Sequence, residues 1–310
     1  MVLVSFGNSG IFPPRVYINV VFLGEREEIM EKKKKSKKLV KIIVPLLILA
    51  IIVIGVVIWY FQFKRPYDEA VGNFNAAAEQ VNEKNRELDD AISAAQAVLD
   101  SGEEPYNSET VSDLTTAIAD ANAAKRNVPD LPENKDDVIK ASNTLREPLD
   151  YTDIIASISE KQTALETSIQ QMKQVTNPSE DFIVQRLQQI DGISGYQAVT
   201  EDHDPNGNLH KQGGYTAAIY FSSPLINQDE VYGADIVDKG TECGGCIEVY
   251  ANADDAESRN AYLASFDGAG LLNSGSHTVV GTVVIRTSPQ LTATQQNELA
   301  QAITDKLLEL

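Results

Sequence analysis

Lys32-Lys33-Lys34-Lys35-Ser36-Lys37-Lys38-Leu39-Val40-Lys41 runs directly into an unbroken apolar stretch from Ile42 to Phe61. Those twenty residues, at 1.5 Å rise, make a helix of about 30 Å, the thickness of a bilayer's hydrocarbon core. A helix bordering a soluble core keeps a polar face, and this run has none. The stretch therefore predicts a transmembrane helix over residues 42–63. Seven lysines at one end mark that end as cytoplasmic, so residues 1–41 read as a cytoplasmic tail. Trp59 and Tyr60 suit the outer interface, where amphipathic rings sit at headgroup level. Lys64 and Arg65 oppose this orientation and are outnumbered. Everything after Arg65 is expected outside the cell.

A cleaved signal peptide would need a shorter apolar region and small residues at the cleavage site. Trp59-Tyr60-Phe61-Gln62-Phe63 is bulky throughout, which favours an uncleaved signal anchor. Pro45 and Gly55 are compatible with a membrane helix. Met30 opens Met-Glu-Lys-Lys-Lys-Lys, and Gly24-Glu25-Arg26-Glu27-Glu28 just upstream can be encoded by purine-rich codons, as a ribosome-binding site is. Translation is expected to begin at Met30, with residues 1–29 lying ahead of the true start. The competing reading is a genuine cytoplasmic tail.

The chain has 310 residues and a net charge of −19. The first 65 residues hold 11 Lys and Arg against 4 Asp and Glu, which leaves 15 against 41 beyond them, a net of −26. Such a surface repels nucleic acid and anionic lipid, and nucleic acid is excluded as a partner. Two cysteines, Cys243 and Cys246, cannot staple a domain of this size, so the core must come from apolar packing.

Residues 66–176 read as helical. Val71, Phe74, Ala78, Val81, Asn85, Leu88, Ile92, Ala95 and Leu99 alternate steps of three and four, a coiled-coil-like seam with one polar residue, Asn85. Gly102-Glu103-Glu104-Pro105 ends that helix. Asn107 or Ser108 can cap a second, with Val111, Leu114, Ile118 and Ala121 on its buried face. A third stretch starts near Asn134, is broken or kinked at Pro148, and continues through Ile155, Ile158, Leu165, Ile169 and Met172. The pattern predicts an antiparallel bundle of three or four helices serving as a spacer. Ala91-Ile92, Ala95, Tyr106, Leu114, Ala117-Ile118 and Ala121 make Leu88 to Leu149 resemble the FIVAR-type three-helix modules of Gram-positive cell-wall and adhesin proteins. The resemblance implies a spacer or a binding surface.

Residues 177–310 change character. Asn177, Pro178 and Glu180 suit the N-cap, first and third positions of a helix carrying Phe182, Ile183, Leu187 and Ile190. Strands are predicted at Tyr196–Thr200, Tyr215–Phe221, Cys246–Tyr250, His277–Val280 and Val283–Arg286, the last two joined by Gly281-Thr282 as a two-residue hairpin turn. Asn252 caps a predicted helix to Phe266, and Thr292 with Gln295 forms a capping box for a final helix. This order gives an α+β domain with a mainly antiparallel sheet and helices on one face. Ile247-Glu-Val-Tyr250, Val279 to Ser288 and Leu291 to Gln296 make residues 178–310 resemble uncharacterised C-terminal domains of membrane-anchored proteins from Gram-positive bacteria, which implies an extracytoplasmic location.

Three candidate sites follow. Asp202, Asp204, Asn206 and Asn208 have the D-x-D-x-N-G spacing of a calcium loop, and calcium is the one cofactor the sequence suggests. The twelfth position is Gly213 where a bidentate Glu belongs, so a polar turn loop is the competing reading. Cys243-Gly244-Gly245-Cys246 leads into a strand, whereas a catalytic C-x-x-C needs a helix N-terminus. It reads as a loop-tightening disulfide or two idle thiols. Asn206, Gly207, Lys211 and Tyr215 form a candidate binding loop. No G-x-S-x-G, H-E-x-x-H or phosphate-cradle motif occurs.

The expected protein is not an enzyme. It is a single-pass membrane protein with its N-terminus inside, presenting a binding or sensing module outside to a cell-wall polymer or another envelope protein. The rival readings are an extracytoplasmic thiol-disulfide or hydrolytic enzyme, and a structural subunit of an envelope complex.

Overall fold

The computed structural model describes residues 19–268 and 275–310. Much of the expected early start, residues 1–29, lies outside them. Helix α1 (Asn19–Trp59) carries the lysine-rich and apolar segments together, without a break at Pro45. A π-helical turn (Tyr60–Lys64) joins it to α2 (Arg65–Asp100). Every residue from Lys37 to Arg65 is exposed, including Ile51 at 66%. Apolar side chains fully open on all sides are unfavourable in water by about 1.5–3 kcal/mol each relative to burial. The length and composition of this helix suit a membrane crossing.

The chain divides into two compact units. The first comprises residues 1–80 and 128–147. Here α2 buries Ala70, Phe74, Ala77 and Ala78, and α4 (Lys135–Leu145) buries Val138 and Leu145. Helix α4 starts near Asn134 as expected, and Asn134 caps it, its side chain accepting from Asp137 N at 2.9 Å. Arg146 donates to Asn73 Oδ1 at 2.9 Å.

The second unit comprises residues 81–127 and 148–310. Its helical part consists of the rest of α2, α3 (Glu109–Ala124) and α5 (Thr152–Gln174). Leu88, Ala95, Leu114, Ile118, Ala121, Ile158, Leu165 and Ile169 form one apolar cluster. The small residues Ala95 and Ala121 are each fully buried, which lets helix backbones approach closely. All nine predicted seam residues on α2 are buried or half-buried.

The sheet has strands β1 (Gly195–Ala198), β2 (Ala217–Ser222), β3 (Gly244–Val249), β4 (His277–Val280) and β5 (Val283–Thr287), in the order β1-β2-β3-β5-β4. All neighbouring pairs are antiparallel, which gives the α+β fold. Gly281, at φ +62°, makes the two-residue turn between β4 and β5. One face of the sheet (Ile219, Phe221, Ile247, Val249, Val283, Ile285) packs with Ile183 and Leu187 of α6 (Glu180–Leu187). Leu299, Ile303 and Leu307 of α9 (Ala293–Leu308) complete that layer.

The opposite face (Ala218, Tyr220, Cys246, Val284) packs with Tyr250, Val237 of the one-turn helix α7 (Ile236–Lys239), and Ala256 and Leu263 of α8 (Ala253–Ala264). Helices thus cover both faces, not one. Strands β2 and β3 are buried at every position, and their sequences lack the polar alternation that a one-sided sheet requires.

Two further expectations change. The helix before β1 is capped by Ser179, whose side chain accepts from Phe182 N at 3.2 Å. Asn177 instead takes a left-handed φ of +46°, and its amide donates to Thr282 Oγ1 at 2.7 Å. The expected domain boundary between residues 176 and 177 falls inside a compact unit. Val175 is fully buried in the sheet core, and its carbonyl accepts from Thr282 N at 3.0 Å.

Candidate functional site

The loop between β1 and β2 closes around Asp204. One carboxylate oxygen accepts from Asn206 N at 3.0 Å and from the Tyr215 hydroxyl; the other accepts from Leu209 N at 2.8 Å. Burial pushes the Asp204 carboxyl up in pKa. The hydrogen bonds from Tyr215, Leu209 and Asn206 outweigh burial and hold it below the ordinary carboxylate value.

Asp204 therefore acts as an internal staple for the loop, with both oxygens engaged by protein donors. Asn206 Nδ2 donates to the Tyr220 hydroxyl at 3.1 Å. The polar turn reading accounts for these two of the four expected calcium ligands; Asp202 and Asn208 flank them in the same loop. Tyr215 is 1% exposed and lies in the core beneath the loop, so it is not a contact residue. Gly207 and Lys211 do reach the surface, lining a shallow cavity of about 340 Å³ with Glu201 and His210.

The two cysteines are unbonded and buried. Gly244 and Gly245 are part of β3, so the chain is extended where a C-x-x-C disulfide would need it to turn. Cys246 sits on the sheet between its cross-strand partners Tyr220 and Arg286. Cys243 ends a 3₁₀ turn, with its sulfur 3.1 Å from Gly240 O and 3.4 Å from Phe221 O. Of the two readings, the structure has the second, two separate thiols, and burial pushes that of Cys243 up to about 11.

Beside the Asp204 loop the fold assembles a group that sequence spacing does not reveal. His203 Nε2 lies 2.9 Å from Asp238 Oδ1, and its Nδ1 lies 3.8 Å from Asp235 Oδ2. The hydrogen bond to Asp238 raises the His203 pKa above the ordinary histidine value. Asp235 caps α7 through Asp238 N at 2.9 Å and accepts from Gln197 Nε2 of β1 at 3.1 Å. Among the described residues, this is the group of His, Cys, Asp or Glu side chains whose ligand atoms all lie within 4.8 Å of one another. Asp238 also lines an open cavity of about 760 Å³ together with Asp229, Glu230, Tyr232 and Gly233. Tyr232 is 98% exposed on its rim. The signal in the sequence is the i, i+3 pair Asp235 and Asp238 after the glycine of Tyr232-Gly233-Ala234.

A second group missed by sequence lies under the sheet. Glu248 of β3 is fully buried and receives Arg259 Nε at 2.7 Å and Nη2 at 2.8 Å. Arg286 Nη1 donates to it at 2.9 Å and the Tyr250 hydroxyl at 2.9 Å. Burial raises the Glu248 pKa. The Arg259 hydrogen bonds and the two positive charges overcome burial and hold the carboxyl ionised, below its ordinary value. The signal was a lone charge in Ile247-Glu-Val-Tyr250. The network locks α8 to the sheet, and every atom of the carboxylate is consumed in doing so. Among known proteins, no family model, curated protein or solved structure matches this chain.

Proposed function

We propose that the chain is a single-pass membrane protein that holds an acidic α+β module outside the cell, where it binds or senses an envelope polymer or protein. The observation that carries this reading is the apolar stretch Ile42 to Phe61, exposed on every side and preceded by seven lysines. The positive end belongs to the cytoplasm and the acidic remainder to the exterior. Contact with the partner falls to the open rim formed by Asp229, Glu230 and Tyr232, an exposed aromatic among carboxylates. Protease added to intact protoplasts expressing the full chain tests the topology. Digestion of the acidic part, with a membrane-retained fragment bearing the lysine-rich end, is expected. Protection of the acidic part until lysis, or recovery of the chain in the soluble fraction, overturns the reading.

A further inference from the structure

We infer that His203, Asp235 and Asp238 form a binding site for a divalent transition metal ion such as zinc or manganese. The inference is independent of the membrane reading, since it concerns side chains of the folded module alone.

An imidazole separates this group from an ordinary acidic turn. Surface carboxylates cluster freely in a chain this acidic, but a nitrogen donor between two of them is the mixed set that such ions prefer. His203 comes from the loop after β1; Asp235 caps the single turn α7 and Asp238 is its third residue. The fold has closed a chain separation of more than thirty residues to bring Nε2 within 2.9 Å of Asp238 Oδ1. Two carboxylates balance the charge of a divalent cation, and the neutral imidazole supplies the third bond. Calcium, with its demand for six to eight oxygens, fits this set poorly.

The surroundings suit a metal in two ways. Gln197 donates to Asp235 Oδ2 at 3.1 Å, and the Asp238 amide donates to Asp235 Oδ1 at 2.9 Å. Such partners fix a ligating carboxylate in place before the ion arrives. The three side chains are 39–43% exposed, and Asp238 faces the 760 Å³ cavity. Three protein donors with a solvent-open side leave coordination positions for water or for a group on an incoming partner.

The full chain, purified in detergent and stripped with chelator, is titrated with Zn²⁺ and with Mn²⁺ by calorimetry and by competition with a chromophoric chelator. One equivalent is expected to bind, with a rise in melting temperature. His203→Ala and Asp238→Asn are each expected to weaken that binding about tenfold or more. Asp235→Asn, which keeps the capping oxygen of α7, provides a variant that folds if the others do not, and is expected to weaken binding likewise. His210→Ala, removing the nearby imidazole paired with Glu201, is expected to leave binding unchanged. Absence of binding by the parent chain, or undiminished binding by Asp235→Asn and by a folded His203→Ala, overturns the proposal. So does loss of binding in His210→Ala alone.

Discussion

The Tyr151 hydroxyl donates to Asn85 Oδ1 at 2.9 Å and accepts from Arg126 N at 2.8 Å. Asn85 Nδ2 completes the ring by donating to Arg126 O at 2.9 Å. The one polar residue in the apolar seam of α2 is thus held by a partner on α5's leading edge and by the end of α3. Asn85 takes the Arg126 carbonyl and Tyr151 takes its amide, two backbone groups just past the end of α3. Tyr151 is 3% exposed, so water cannot replace its hydroxyl. Tyr151→Phe is expected to cost about 1–3 kcal/mol, the penalty for stranding buried polar groups. Denaturant unfolding of the purified chain measures it; an unchanged midpoint would show that the ring does not stabilise the fold.

Breaking the Glu248 network should be costlier. Arg259→Leu leaves a buried carboxylate with a single cation and is expected to destabilise by about 3–5 kcal/mol. Glu248→Gln strands two guanidinium groups and should fall in the same range. Circular dichroism melts of both variants decide this, and a loss below 1 kcal/mol in each would contradict the burial seen here.

The same carboxylate sets a pH dependence. Its folded pKa lies below the ordinary value of 4.5. Its contribution is therefore complete above that value and is lost as pH falls through the lower, folded one. Melting temperature measured from pH 7 to pH 3 should drop on the acid side. The drop should be shallower in Glu248→Gln, which has no proton to take up at that site.

Both thiols should be inert in the native state. With the Cys243 pKa at about 11, roughly one molecule in a thousand carries a thiolate there at pH 8. A chromogenic disulfide reagent is expected to modify neither cysteine within minutes until denaturant is added, and then to modify both. Intact mass after mild oxidation should show no loss of two hydrogens. Rapid native labelling, or an internal disulfide, would refute the assignment of separate buried thiols.

Gly281→Ala tests the junction between the sheet and α5. The residue has φ +62°, and an added Cβ would stand 2.5 Å from Val175 Cγ2 and 2.6 Å from Val175 O. A strained backbone and a direct clash with a buried residue are together expected to cost about 2–3 kcal/mol. A melting temperature equal to that of the parent chain would show that the turn can move away from Val175.

What the sequence made legible is what local rules govern. Ile42 to Phe61 reads as a span because length and apolarity need no neighbour to interpret them. Asn252 and Thr292 cap the helices expected of them, since a cap and its amide are three residues apart. The seam from Val71 to Leu99 follows helical spacing alone. Failures occur where a distant residue decides. Asn177 fails as a cap because Thr216, 39 positions away, donates to its side-chain oxygen. Tyr215 looks like a loop aromatic, but Asp204 draws its hydroxyl inward. His203 looks isolated until β1 and α7 dock, and Glu248 looks like a surface charge until α8 delivers Arg259.

Val175 gives the second unit a mechanical character. Helix α5 ends at Gln174, and the very next residue is sealed into the sheet's core with its carbonyl held by Thr282. No slack chain separates the helices from the sheet, so a tug or twist applied along α5 passes straight into the strands. Limited digestion should accordingly release no sheet fragment cut between positions 174 and 180, and force applied to one part should unfold both together.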